Sequence, residues 1–130
     1  MAQPELKVQI AIIKWLRVVM PGVIVHHSVN EHGKRGKAGM FQAMRNKNAG
    51  MMAGFPDLIV LPYATAGPFF LEVKAPKGRV SETQKQAHEL LKDRGYKVAV
   101  VRSVEETRAF MQANHIGFNE VNIGGSLNDK

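Results

Sequence analysis

The spacing of apolar residues along this chain changes several times, and each change marks an element. From Pro4 to Met20, PELKVQIAIIKWLRVVM, the positions Leu6, Val8, Ile10, Ile12, Ile13, Trp15 and Val19 recur at helical spacing, and Pro4 suits a first helical turn. Pro21-Gly22 stops that helix. VIVHHSV is short and β-branched, which predicts a strand at about 23–29. Residues 31–54, EHGKRGKAGMFQAMRNKNAGMMAG, hold no sustained period, and only MFQAMR suits a short helical turn. A stretch this long without its own structure is usually functional or mobile, so it is expected to form a basic, Gly-rich flap.

Strand patterns return at PDLIVLP and GPFFLEVKA, joined by the turn residues of PYATAGP. SETQKQAHELLKDRG is the clearest helix. Ser81 with Gln84 makes a capping box, Ala87, Leu90 and Leu91 mark the expected core face, and Gly95 is the stop. YKVAVVRS reads as a strand and VEETRAFMQAN as a final helix. Residues 116–130, mostly Gly- and Asn-rich, are expected to be a flexible tail or an interaction arm. The order is therefore α-β-β-β-α-β and then α. It predicts an α/β fold with a mixed central sheet flanked by helices, in a single domain over 1–115.

Charge adds a partner. The chain of 130 residues carries 18 basic and 11 acidic residues, a net charge of +7. That balance favours a polyanion, most simply nucleic acid, over an inert basic surface. There is no cysteine, hence no disulfide framework and no thiolate metal site. No apolar run reaches the length of a membrane span, and Lys14 and Arg17 interrupt any signal-peptide core. A cytoplasmic setting without membrane contact is expected.

Chemistry enters with the pleat. Along Phe69-Phe70-Leu71-Glu72-Val73-Lys74, alternation puts Phe70, Glu72 and Lys74 on one face and the apolar Phe69, Leu71 and Val73 on the other. If 57–61 and 69–74 pair as an antiparallel hairpin, Asp57 at the start of the first strand lies beside Glu72 and Lys74. Two adjacent carboxylates repel unless one is protonated or a cation intervenes. Mg²⁺, with Mn²⁺ as substitute, prefers hard oxygen ligands and keeps waters and substrate phosphate for its remaining positions. A lysine alongside can hold the attacking water or meet charge on the phosphate. The set suits metal-dependent cleavage of a phosphodiester. Its plain competitor is a cross-strand salt bridge at the sheet edge.

Pro56-Asp57 followed by Glu72-Val73-Lys74 resembles the motif of the PD-(D/E)XK nucleases. The surrounding GFPDLIV, FFLEVKAPKGRVSETQ and LLKDRGYKVAVV resemble, more specifically, the VRR-NUC family, which includes short stand-alone phage and bacterial proteins. The resemblance implies a restriction-endonuclease-like core. It implies Asp57 and Glu72 as metal-binding carboxylates, the Val73 carbonyl as a backbone ligand and Lys74 as the catalytic lysine. It also implies an acid on the first helix, best matched by Glu5, which shares a helix face with Gln9, Ile12 and Leu16 that is expected to lie against the sheet; its other role would be to offset the helix dipole. Glu31 is a second candidate, or a loop charge beside Lys34 and Arg35. Gln84 falls where the family carries a glutamine, and both a catalytic and a capping role are open to it. Structure-selective cleavage of branched, flapped or Holliday-junction DNA, a place in DNA repair, a homodimer and the cytoplasm of a bacterium or phage-infected host are what the resemblance implies.

Lys34, Arg35, Lys37, Arg45, Lys47, Lys77 and Arg79 are the candidate phosphate contacts. GKRGKAG is not a P-loop, since the Gly-Lys-Ser/Thr ending is missing. His26, His27 and His32 make a poor zinc set, because neighbouring strand residues face opposite ways. Met40, Met44, Met51 and Met52 would cover an apolar partner or pack on the core. Two readings compete with the nuclease: a non-catalytic nucleic-acid-binding or assembly module on the same fold, and RNA cleavage.

Overall fold

The structure, a computed structural model, describes residues 3–28, 36–63 and 67–120, with 36–38 described as backbone only. Its elements run α1 (Gln3–Val19), β1 (Ile24–His27), α2 (Gly36–Asn48), β2 (Leu58–Leu61), β3 (Phe69–Val73), α3 (Glu82–Asp93), β4 (Lys97–Val101) and α4 (Val104–Ala113). The sheet order is β1-β2-β3-β4. The first three strands form an antiparallel meander, and β4 returns parallel to β3 after the α3 crossover. The mixed sheet expected from the element order is present.

Pleat alternation divides the two faces. Leu58, Val60, Phe69, Leu71, Val73 and Val101 join Ile12, Leu16 and Val19 of α1 and Met111 of α4 in one core cluster. Each of these side chains stabilises the fold by about 1.5–3 kcal/mol through burial. Phe70 and Glu72 point the other way. Phe70 meets Phe55 and Tyr96 edge-on, and Glu72 meets α3. Helices therefore cover both faces, and the polar site sits on the α3 side.

Several expectations are corrected. The flap 31–54 contains a full helix, α2, where a short turn was expected. Met, Ala, Gln, Arg and Lys are good helix formers, and α2 needs no apolar period because Met40, Phe41 and Met44 stay exposed. The first strand covers four residues, Ile24–His27, and is an exposed sheet edge. On α1 the face that Glu5 shares with Gln9, Ile12 and Leu16 is buried as expected, with Val19 added to it, while Ile10 is exposed. On α3, Leu90 is exposed and His88 is buried beside Ala87, so the inward face is rotated towards a polar residue.

The tail divides at Glu120. Ile116 is buried, Phe118 packs edge-on against Trp15, and the Asn119 N–H donates to the Val19 carbonyl at 2.8 Å. Arg108 pairs with Glu120. Residues 116–120 thus close the end of α1 rather than fray, while the rest of the expected tail, 121–130, lies outside the described residues. Among the described residues, no helix is long and apolar enough to cross a membrane.

Candidate active site

The site is assembled where β2 begins and β3 ends. Pairing of Leu58 with Leu71 carries Asp57 alongside Glu72 and Val73. Asp57 is fixed twice. Its carbonyl accepts from the Ser28 N–H at 2.7 Å, which ties it to the end of β1, and its Oδ2 accepts from the Val73 N–H at 2.7 Å. Glu72, 1% exposed, occupies the centre. Lys74 Nζ lies 3.7 Å from Glu72 Oε2. The salt-bridge reading and the nuclease reading share this contact. The second carboxylate beside it is what a simple pair does not need.

The helix α3 supplies the roof. Ser81 accepts from the Gln84 N–H at 3.1 Å, and Gln84 Oε1 accepts from the Ser81 N–H at 2.9 Å, closing the capping box. The free amide end of the same side chain donates Nε2 to Glu72 Oε2 at 3.3 Å. Gln84 therefore caps its helix and touches the site carboxylate at once. One turn on, His88 Nε2 lies 3.3 Å from Glu72 Oε1. Gly54 sets the height of this roof. It has φ +78°, and a Cβ there would stand 2.6 Å from the Thr83 carbonyl oxygen. Only glycine lets the segment before β2 lie this close to the first turn of α3.

The electrostatics follow from burial of two acids together. Desolvation, then the bond to Glu72 and its charge, push Asp57 up from an ordinary 3.8 to about 7, against the opposing Val73 N–H and Lys74. Glu72 is also raised, first by burial and further by the charge of Glu5, while Asp57 and Lys74 oppose the rise. Without a cation the two carboxyls favour protonation more than free acids do, because they are buried side by side and their charges repel. His88 is lowered, chiefly by burial and then by Lys92, so it is neutral.

The positions of the other candidates differ. Glu5 lies in the first turn of α1, half-buried, and acts on Glu72 through its charge. Among the described residues, no three His, Cys, Asp or Glu side chains form a ready metal cage. The donors present are two carboxylates and the Val73 backbone. They fit Mg²⁺, which takes one or two carboxylates and fills its octahedron with water and phosphate, better than a cation that needs an all-protein cage. Arg45 and Lys47, in the last turn of α2, and Lys77 and Arg79, after β3, are exposed. Glu31, Lys34, Arg35 and His32 lie outside the described residues, as does the Lys37 side chain. His26 and His27 stand on the exposed edge strand.

The VRR-NUC domain, as a family, matches residues 3–105, most of the chain and every site residue described above. The chain belongs to the VRR-NUC family. A solved structure described as a VRR_NUC domain protein shares the fold, with TM-score 0.62 and 21% identity over 90% of this chain and 93% of that one. No curated protein matches the chain. Membership makes this VRR-NUC chain a member of a nuclease family.

Two features of this VRR-NUC site escape a reading of the sequence. His88 is one: its i,i+4 spacing from Gln84 was the available signal, masked by the leucines that follow. Arg102 is the other. Its Nη2 donates to the Gly78 carbonyl at 2.9 Å, which holds the segment bearing Lys77 and Arg79 against the end of β4.

Proposed function

We propose that this chain is a metal-dependent, structure-selective DNA endonuclease that hydrolyses phosphodiester bonds at branched DNA. The observation that carries the reading is the meeting of Asp57, Glu72 and Lys74 at the open end of the β2–β3 hairpin. In this reading Asp57, Glu72 and the Val73 carbonyl hold Mg²⁺, with Glu5 as an additional acid. A bound Mg²⁺ supplies charge neutralisation at the phosphate and a water of lowered pKa.

The chain's own groups do the rest. Val73 N–H and the Ser28 N–H fix Asp57, and Gln84 fixes Glu72 from α3. Lys74 meets the negative charge that builds on the phosphate oxygens while water adds to phosphorus and a P–O ester bond breaks. Burial of Glu72 keeps bulk water from screening these interactions. Arg45, Lys47, Lys77 and Arg79 are exposed and serve as phosphate contacts, which position DNA without reading bases. Selection by shape, like a homodimer acting in DNA repair, rests on family membership alone.

The test is a cleavage panel of four-way junction, flap and linear duplex DNA, with Mg²⁺ and with EDTA, for wild type and Glu72→Ala. Cleavage of branched DNA that needs both Mg²⁺ and Glu72 is the expected result. Cutting that survives EDTA or Glu72→Ala would sink the reading. Tight, salt-sensitive binding with no cleavage under any divalent metal would favour the non-catalytic module, and preference for RNA would change the substrate class.

A further inference from the structure

Glu72 is gripped from α3 at both oxygens. Gln84 Nε2 donates to Oε2, and His88 Nε2 lies 3.3 Å from Oε1. Resting on the nuclease reading above, we infer that His88 is a positioning residue that fixes the rotation of the Glu72 carboxylate for metal binding.

The terminal torsion of a glutamate is broad, so a buried carboxylate without partners samples many planes. It offers about four lone-pair directions. Gln84 and His88, one helical turn apart on the same face of α3, take one direction on each oxygen. Gln84 and Lys74 both approach Oε2, and His88 supplies the contact at Oε1 that holds the other end of the group. Asp57 and Lys74 also approach this carboxylate, from the start of β2 and the end of β3. Because the carboxylate accepts, the imidazole hydrogen belongs on Nε2 and Nδ1 is the acceptor.

Packing alone does not account for this residue. His88 is 5% exposed, so its imidazole is desolvated where the polar partner within reach is the buried Glu72 carboxylate. A leucine or phenylalanine would fill the volume without that cost. The two donors also stand on a rigid element: the capping box fixes the start of α3, and Gly54 fixes its height over the site. With Nε2 committed to Glu72, His88 acts through that carboxylate.

The test compares wild type with His88→Phe, which keeps volume and loses the donor, and His88→Gln, whose amide nitrogen reaches about where Nε2 stands. Mn²⁺ binding is measured by calorimetry on the full chain without DNA. His88→Phe is expected to weaken Mn²⁺ binding by about 10–100-fold, the usual effect of losing a group that orients a metal ligand. His88→Gln is expected to recover most of the affinity. The Mn²⁺ concentration for half-maximal cleavage should shift in step, with DNA affinity in EDTA unchanged. A folded His88→Phe chain that binds Mn²⁺ like wild type overturns the assignment, as does a His88→Gln chain damaged as badly as His88→Phe. Should His88→Phe fail to fold, His88→Gln against His88→Asn makes the same comparison, since asparagine falls short of Oε1. Equal affinities in that pair overturn it. If wild type itself binds no Mn²⁺, the nuclease reading falls. If wild type binds and His88→Phe matches it, the role of His88 alone falls.

Discussion

Asp57 Oδ2 accepts a 2.7 Å hydrogen bond from the Val73 N–H, across the end of the β2–β3 hairpin. One carboxylate thus locks the strand register and faces the site. The two roles separate by substitution. Asp57→Asn keeps an oxygen for the Val73 N–H and removes the charge, so its unfolding midpoint should equal or exceed that of wild type while cleavage is lost. Asp57→Ala leaves a buried N–H without its partner and should cost about 1–3 kcal/mol as well. Urea unfolding of both variants beside a cleavage assay checks this. An active Asp57→Asn protein would remove Asp57 from the chemistry.

The raised Asp57 gives a pH dependence with a defined sign. Folded Asp57 titrates near 7 and an ordinary aspartate near 3.8. Between those values the native state holds a proton that the unfolded chain has released. Metal-free stability should therefore fall as pH rises through that window and level off above it. The measurement is the difference between wild type and Asp57→Asn at pH 5 and pH 8 in EDTA, which cancels the titrating groups that do not interact with Asp57. Wild type should lose more. A cation reverses the preference by displacing the proton, so the rise in unfolding temperature with Mg²⁺ should be larger at pH 8 than at pH 6.

Gly54 is required by geometry. Alanine there faces a left-handed backbone at φ +78° and the Thr83 carbonyl oxygen at 2.6 Å. Gly54→Ala should destabilise by about 1–3 kcal/mol and lift the first turn of α3, with Gln84, from Glu72. Cleavage should fall further than the lost stability explains. An unchanged unfolding midpoint would show that the segment before β2 yields.

Lys74 sits 3.7 Å from Glu72 with its side chain 11% exposed. Lys74→Met keeps the stem and removes the ammonium. Cleavage should drop by about 10²–10³-fold, the scale of losing one preorganised charge in a water-poor site, while binding of duplex DNA in EDTA stays close to wild type. Equal losses in binding and cleavage would make Lys74 an ordinary phosphate contact.

The exposed cations should act additively and without sequence preference. Replacing Arg45, Lys47, Lys77 or Arg79 singly by glutamine should weaken DNA binding and lower the salt slope by about 1 for each residue that meets a phosphate. Binding isotherms across a salt series check each position. A residue whose removal leaves the slope unchanged makes no such contact.

What local periodicity controls was legible in the residues themselves. The alternation of Phe69–Lys74 decides that Glu72 and Lys74 share a face, because a pleat has period two. The Ser81–Gln84 spacing decides where α3 starts, because a cap satisfies amides within one turn. Asp57 followed by Glu72-Val73-Lys74 was visible as a pattern, with the hairpin as its one geometric assumption. Other features depended on partners far along the chain. α2 formed without an apolar period, since an exposed helix buries no stripe. Residues 116–120 packed because Trp15 and Val19 receive them, which the Gly- and Asn-rich composition of 116–130 as a whole does not announce. The choice of His88 over Leu90 for the inward face was made by the position of α3 over β3. That position is set by Gly54 against Thr83 and by the Glu72 carboxylate, contacts between segments that no local spacing encodes.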